Sequence, residues 1–182
     1  MNIEQLYTGC LSQGAYFISS KGEAAVIDPL REITQYLDLA KQSDSKIKYI
    51  FETHFHADFV SGHVELAKAT GATIVYGPNA VTRFASHIGA DNEIFKLGEL
   101  KIRMLHTPGH TLESCCYLLK DERNQPRAIF TGDTLFIGDV GRPDLAQQPV
   151  AGLSQNDLAG MLFESLRNKI LPLPDDVVIY PA

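Results

Sequence analysis

The chain has 182 residues, of which 45% are hydrophobic and 21% are charged, and its formal net charge is −6. This length suits one compact domain that buries roughly 70% of its unfolded surface. The negative charge and the lack of a basic run disfavour nucleic-acid binding. The longest apolar runs are far too short to span a membrane.

The cysteines and the first residues indicate a cytoplasmic protein. Two of the three cysteines, Cys115 and Cys116, are adjacent, which makes a poor disulfide framework and fits a reducing compartment. The segment from Met1 to Glu4 does not begin the basic-then-apolar pattern of a secretory signal. We therefore expect a cytoplasmic location.

The beginning of the chain predicts a hairpin followed by a helix. Residues 15–18 and 24–27 are apolar and flank a short turn, which predicts two antiparallel strands. Asp28-Pro29 ends the second strand, because proline cannot donate to a β-ladder. Apolar residues at helical spacing then predict an amphipathic helix over residues 31–43.

The remainder of the chain alternates strands with two further helices. Ser61 as the N-cap and Gly71 as the terminating residue bound one predicted helix. An apolar face predicts another helix over residues 156–170. Short apolar or alternating segments predict strands at residues 47–51, 73–76, 100–105, 115–119, 128–130 and 177–180.

Two groups of strands accompanied by helices predict an α/β sandwich in a single domain covering residues 1–182. The sequence ends directly after the predicted strand 177–180, with no segment to cover it. We therefore expect the chain to be the N-terminal part of a longer protein.

The stretch THFHADF, residues 53–59, predicts a metal site. His54 and His56 follow a predicted strand, and side chains at i and i+2 of an extended chain point to the same side. Asp58 continues the series as the chain turns into the next helix. The alternative, two solvated loop histidines, does not account for the acidic residue at the same spacing.

Two later segments strengthen this interpretation. LHTPGHT (105–111) ends an alternating strand with a Pro-Gly turn, which would present His110 at the strand end. IFTGDTLF (129–136) places Asp133 inside an otherwise apolar stretch, where a buried carboxylate needs a cation or several donors. Histidines and carboxylates at several strand ends on one edge fit a metal cleft.

The segments THFHAD, TPGHT and GDTLF resemble, in order and spacing, the signature segments of the metallo-β-lactamase-like hydrolase superfamily. ETHFHADFVSGH together with GDTLFIGDVGRPDL is more similar to the persulfide dioxygenases, a branch related to glyoxalase II. The resemblance covers essentially the whole chain. It implies a four-layer αββα sandwich that lacks its C-terminal end, and in some members rhodanese domains follow.

The resemblance also implies a ligand set. One Fe(II) per chain would be bound by His54, His110 and Asp133, which would form the catalytic centre, and two histidines with one carboxylate suit non-haem iron and O₂. His56 and Asp58 match metal-site positions of the superfamily, but in this branch they would orient the ligands or bound water. The alternative is a Zn²⁺ site, which would recruit His56 as a third imidazole.

Phe59 and Arg142 refine the expected chemistry. In the two-metal hydrolases of the superfamily the residue after Asp58 is usually a histidine that binds the second metal. Phenylalanine cannot coordinate, so Phe59 disfavours two-metal hydrolysis. The resemblance further implies that Arg142 contacts a carboxylate of a glutathione moiety. The alternative for Arg142 is a local pair with Asp139 or Asp144.

These implications define the expected function. The first hypothesis is an Fe(II)-dependent dioxygenase that oxidises glutathione persulfide, or a similar small persulfide, with O₂ to sulfite and thiol. The second is a glyoxalase II-like thioester hydrolase that uses metal-activated water, and the third is a metal-binding module of a larger sulfur-transfer protein. The expected partners are small molecules rather than nucleic acid or membrane. The sequence does not decide whether the chain forms a homodimer.

Overall fold

The structure of the protein is a computed structural model that describes residues 1–144 and 152–182. In this part of the chain eleven strands form two sheets and three helices flank them. The strands are β1 (Asn2–Thr8), β2 (Gln13–Ser20), β3 (Glu23–Ile27), β4 (Lys46–Phe51), β5 (Thr73–Tyr76), β6 (His87–Ile88), β7 (Ile94–Leu97), β8 (Leu100–His106), β9 (Cys115–Lys120), β10 (Pro126–Gly132) and β11 (Val178–Pro181). The helices are α1 (Thr34–Gln42), α2 (His63–Thr70) and α3 (Gln155–Ser165), and α3 continues as a π-helical turn over Leu166–Ile170.

The first sheet has the strand order β1-β2-β3-β4-β5-β6. Strands β1, β2 and β3 pair antiparallel, whereas β3, β4, β5 and β6 pair parallel. The parallel part is connected through α1 and α2, as parallel neighbours require a crossover. Because β3 and β4 are parallel neighbours, the residues that follow them, Asp28 and Glu52, emerge at the same edge of the sheet.

The second sheet has the order β11-β10-β9-β8-β7 and is antiparallel except for the parallel pair β10 and β11. Its edge meets the equivalent edge of the first sheet. The Cys115 amide, at the start of β9, donates to the Thr53 carbonyl at 2.8 Å, and a Cβ on Gly132, at the end of β10, would lie 2.3 Å from Thr53 Oγ1. The ends of β4, β9 and β10 are thereby brought together.

The two sheets and the helices form four layers. A large apolar cluster lies between the sheets and includes Ile18 and Phe51 from the first sheet and Tyr117 and Phe130 from the second. A second cluster packs α1 and α2 on the outer face of the first sheet, and a third packs the turn after α3 on the second sheet. The expected αββα sandwich is confirmed.

The structure corrects several expected boundaries. The first helix begins at Thr34 instead of residue 31, and the N-cap of α2 is Gly62 instead of Ser61. The Ser61 hydroxyl lies within hydrogen-bond distance of two buried acceptors, Glu52 Oε1 at 2.6 Å and the Pro29 carbonyl at 3.0 Å, and its oxygen accepts from the His63 amide at 3.3 Å. Gly71 ends α2 in the left-handed conformation, as predicted.

Three strands are additional to those predicted from the sequence. They are β1, which is largely polar, and the short strands β6 and β7. The last predicted helix is confirmed, and Ser154 opens it with a reciprocal pair of hydrogen bonds to Asp157. Among the described residues, no helix has the length and apolar character needed to cross a bilayer.

Phe51 is a suitable probe of the interface between the sheets. Its side chain is fully buried and its ring contacts Phe95 and Tyr117 at centroid distances of 5.2 and 4.6 Å. We expect Phe51→Ala to lower the free energy of unfolding by about 3–5 kcal/mol, because it leaves a cavity where three rings meet. The control Val81→Ala, at a side chain that is 85% exposed, should change it by less than about 0.5 kcal/mol. Urea unfolding followed by circular dichroism measures both.

Candidate metal centre

His54, His110 and Asp133 come together at the edge where the two sheets meet. His54 lies just after β4, His110 follows β8 in a tight turn, and Asp133 follows β10 directly. Asp133 Oδ2 lies 3.9 Å from His54 Nε2 and 3.5 Å from His110 Nε2. The three donor atoms all lie within 4.8 Å of one another. The three residues predicted from separate segments therefore form one cluster.

The turn that carries His110 is held tightly against α3. Gly109 has a φ of 144°, and a Cβ there would lie 2.4 Å from Leu162. The Ser165 hydroxyl donates to the Pro108 carbonyl at 2.9 Å. Only glycine permits both the backbone conformation and the close approach at this position. The helix thereby fixes the direction in which His110 leaves the turn.

Hydrogen bonds define which nitrogen of each histidine is free. His110 Nδ1 lies 3.1 Å from the Arg142 carbonyl, which can only accept, so Nδ1 carries the proton and Nε2 keeps its lone pair. His54 Nδ1 lies 3.0 Å from the Thr53 hydroxyl. Both Nε2 atoms face Asp133. In these tautomers the Nε2 lone pairs are directed to a carboxylate oxygen.

The donor set fits a divalent cation. Two ligand atoms bound to one ion at about 2.1 Å stand roughly 3–3.5 Å apart, and the two separations from Asp133 are close to that range. Burial, with a smaller contribution from His56, lowers the pKa of His54 well below its usual value, so this ligand is neutral near pH 7. Burial raises the pKa of Asp133 in the metal-free protein, and a bound cation would offset that cost.

His56 turns its Nε2 atom to a second group of acidic residues. Nε2 lies 3.0 Å from Asp28 Oδ1 and 3.4 Å from Glu52 Oε2. Asp28, Glu52 and His56 are themselves close enough to hold an ion, with donor atoms within 4.8 Å. Burial by itself lowers the pKa of His56, but the charges and hydrogen bonds of Asp28 and Glu52 outweigh it and raise this pKa well above its usual value.

Asp58 and Phe59 contribute no donor atom to either group. Asp58 is exposed to solvent, and it belongs to neither cluster of donor atoms. The ring of Phe59 lies against the imidazole of His56, with centroids 4.3 Å apart and an interplanar angle of 37°. Phe59 therefore covers one face of His56 with an apolar surface.

Arg142 lies on the loop that follows Asp133. Its side chain is 65% exposed and its guanidinium pairs with Asp144 at 2.6 Å, so the local alternative raised from the sequence is the contact present. Its carbonyl holds His110, and a Cβ on Gly141 would collide with the Asp133 carbonyl. The loop backbone is thus packed directly on the cluster. The last residue of the GRPDL segment lies outside the described residues.

Asp28, Glu52 and Thr53 were missed as site residues by the sequence interpretation. Asp28 was taken only as the end of a strand. Both acidic residues directly follow apolar strands and are 2% and 0% exposed. That is the same signal, an acidic residue at the end of a buried strand, that identified Asp133. Applied to every strand, it would have found both of them.

Comparisons with known proteins agree on the family. A model of the Metallo-beta-lactamase superfamily matches residues 8–182. A probable hydroxyacylglutathione hydrolase from Schizosaccharomyces pombe is 33% identical over 162 residues, which cover 87% of this chain and 57% of that protein. The hydroxyacylglutathione hydrolase of Dictyostelium discoideum is 34% identical over 167 residues, covering 90% and 58%. The chain thus spans somewhat more than half the length of these relatives.

Solved structures give the same result. A metallo-beta-lactamase from Staphylococcus aureus superposes with a TM-score of 0.88 at 35% identity, covering 100% of this chain and 55% of that one. ETHE1 from Myxococcus xanthus superposes with a TM-score of 0.84 at 30% identity, covering 100% and 75%. The resemblance inferred from the motifs is confirmed at the level of the superfamily.

In the metal-free protein, the pKa values of His54 and His56 should be shifted in opposite directions. His54 should lose its proton at a pH below about 6.5, the usual midpoint of histidine, because burial disfavours its charged form. His56 should keep its proton above that pH, because Asp28 and Glu52 stabilise the imidazolium. A histidine-detected NMR titration measures both midpoints. Equal midpoints near the usual value would contradict the burial and the contacts described above.

Proposed function

Since the chain belongs to the metallo-beta-lactamase superfamily, we propose that it is a metal-dependent enzyme, an Fe(II) persulfide dioxygenase. The substrate would be glutathione persulfide or a similar small persulfide, and the products would be sulfite and the thiol. The observation that carries this proposal is the cluster of two histidines and one carboxylate at His54, His110 and Asp133. A single set of two histidines and one carboxylate is the arrangement suited to non-haem iron and O₂.

The reaction balances with one O₂ and one water. A persulfide RSSH gives RSH, sulfite and two protons, so the terminal sulfur is oxidised while O₂ is reduced. Fe(II) would supply open coordination positions and the electron transfer that this reaction with O₂ requires. His54, His110 and Asp133 would hold the ion, and the burial of the two histidines limits the water that reaches it.

The residues around the cluster provide positioning. The Arg142 carbonyl keeps the proton of His110 on Nδ1. The Arg142 guanidinium is exposed, so a substrate carboxylate can replace Asp144 as its partner. Backbone and side chain of one residue thereby connect substrate binding with the orientation of a ligand. Proximity of substrate and reactive centre is the expected gain.

The comparisons support a glutathione-type substrate. The relatives from Schizosaccharomyces pombe and Dictyostelium discoideum carry the name hydroxyacylglutathione hydrolase. Similarity to ETHE1 from Myxococcus xanthus over the full length of this chain supports the dioxygenase branch to which the sequence motifs are most similar. We further propose that the protein acts on small molecules in the cytoplasm.

A glyoxalase II-like thioester hydrolase is the second candidate, favoured by the names of those relatives. Hydrolysis there would use metal-activated water. Two observations weigh against a second metal ion beside the first. Phe59 has no atom that can bind a metal, and its ring packs against the imidazole of His56. Asp58, which would have to join Asp133 at a second ion, is exposed and outside the cluster.

Metal analysis combined with an oxygen electrode tests the proposal. Protein loaded with Fe(II) under anaerobic conditions should hold one iron per chain and should consume one O₂ for each sulfite formed from glutathione persulfide. His110→Ala should lose both the metal and the activity, since it removes one of three ligands. The matched control is His87→Ala, because His87 is an exposed histidine paired with Glu93. It should retain both properties.

The competing hydrolase predicts a different outcome. Zinc-loaded protein would cleave a glutathione thioester in the absence of oxygen, and no O₂ would be consumed with the persulfide. That result would replace the dioxygenase with the hydrolase. Iron that binds but supports neither reaction would instead favour the third hypothesis, a metal-binding module.

Arg142 and Arg127 form a matched pair for testing substrate binding. Each is an exposed arginine paired with an aspartate, but Arg127 lies at the opposite end of β10 from Asp133. We expect Arg142→Ala to raise KM for glutathione persulfide about 10-fold or more, because a charged hydrogen bond to the substrate is lost. Iron content should not change, since the backbone contact to His110 remains. Equal KM values for Arg142→Ala and Arg127→Ala would remove Arg142 from the binding site.

A further inference from the structure

Asp28 occupies an unusual position beside the candidate metal centre. It directly follows β3, its side chain is 2% exposed, and its backbone adopts the left-handed conformation with a φ of 48°. Non-glycine residues rarely adopt that conformation. A carboxylate that is removed from water also needs several donors. Both features indicate that the position of this carboxylate matters.

Three donors meet the Asp28 carboxylate. The Thr53 amide donates to Oδ1 at 2.8 Å, and the Thr53 hydroxyl donates to Oδ2 at 2.8 Å. His56 Nε2 lies 3.0 Å from Oδ1. Asp28 therefore contacts Thr53, which precedes His54, and His56, which follows it by two residues, but not His54 itself.

The Thr53 hydroxyl transmits the effect of Asp28 to His54. Its single proton is donated to Asp28, so toward His54 the oxygen can only accept. His54 Nδ1 lies 3.0 Å from that oxygen and must carry the proton. The lone pair is then on Nε2, which faces Asp133 Oδ2 at 3.9 Å. The order of donors and acceptors leaves His54 with the nitrogen required for a metal.

Glu52 completes the support on the other side of His56. It is fully buried and accepts from the Ser61 hydroxyl. Its Oε2 lies 3.4 Å from His56 Nε2 and has no hydrogen-bond partner among the described residues. A cation between Asp28, Glu52 and His56 is the competing interpretation. The direct contacts of Asp28 with Thr53 and His56 favour support, because both carboxylate oxygens already accept from protein donors.

We propose that Asp28 is a positioning residue that acts through Thr53 to hold His54 in the tautomer and orientation needed for metal binding. The inference rests on the proposed metal centre but not on the reaction performed there. Asp28 does not contact the ion. Its effect is expected on metal affinity, which is measured without substrate.

Two substitutions of Thr53 form the test. Thr53→Val removes the hydroxyl at nearly constant volume, and Thr53→Ser retains it. Affinity for Co(II), a spectroscopic probe for the iron site, should fall about 10–100-fold in Thr53→Val, as is typical when a partner of a ligand is lost. Thr53→Ser should stay within about threefold of the unaltered protein. Circular dichroism confirms that each variant is folded.

Asp28→Asn tests the direction of the hydrogen bonds. An amide can donate to the Thr53 hydroxyl, whose proton then turns to His54 Nδ1 and leaves the proton of His54 on Nε2. Nitrogen-15 chemical shifts report this change of tautomer. The unaltered metal-free protein should show His54 protonated at Nδ1, and Asp28→Asn should shift the population toward Nε2 and weaken Co(II) binding.

Three results would overturn the proposal. They are equal Co(II) affinity of folded Thr53→Val and Thr53→Ser, protonation of His54 at Nε2 in the unaltered protein, and binding of a second ion that Asp28→Asn abolishes. The tautomer measurement needs no variant, so it decides the matter even where a substitution prevents folding. Failure of the dioxygenase proposal is separate, because it would leave these affinities unchanged while no O₂ was consumed.

Discussion

The compensation of buried acidic groups at one edge of the sandwich is the constraint on which the site depends. Each ion removed from water costs several kcal/mol after relaxation, so every carboxylate there needs donors. Asp28 obtains them from Thr53 and His56, whereas Glu52 accepts from Ser61 at Oε1 and His56 Nε2 approaches its Oε2 to 3.4 Å. Asp133 is the exception, since its neighbours are histidine nitrogens that carry lone pairs. The protein therefore supplies donors to Asp28 and to one oxygen of Glu52, and it leaves Asp133 for a cation.

Much of the fold could be predicted because its strands and helices follow simple periodicities. The hairpin at residues 15–27 and the alternating strand β8 have apolar patterns that local sequence reveals. Strand β1 could not be found in this way, because its residues are largely polar and its place at the edge is set by pairing with β2. Ser61 shows a different reason for failure. Its oxygen does accept from the His63 amide, but Gly62 stands between Ser61 and the helix, and the Ser61 hydroxyl also contacts the buried Glu52.

The residues of the candidate site could likewise be predicted only in part from the sequence. His54, His110 and Asp133 could be predicted because each follows a strand within a distinctive segment. Asp28 escaped notice because Asp-Pro at the end of a strand has a sufficient local explanation. Its contacts to Thr53 and His56 span 25 and 28 residues, and no local pattern encodes them. The role of Phe59 was likewise anticipated only as the absence of a ligand, whereas its stacking on His56 required coordinates.

The distribution of the three candidate ligands over the two sheets has a mechanical consequence. His54 follows a strand of the first sheet, whereas His110 and Asp133 follow strands of the second. An ion held by all three would therefore act as a cross-link between the halves of the sandwich. Any motion that separates the sheets would weaken the ion's coordination, and bound metal would in turn oppose that motion by mass action. The ion proposed for catalysis would then also hold the two sheets in a fixed relative position.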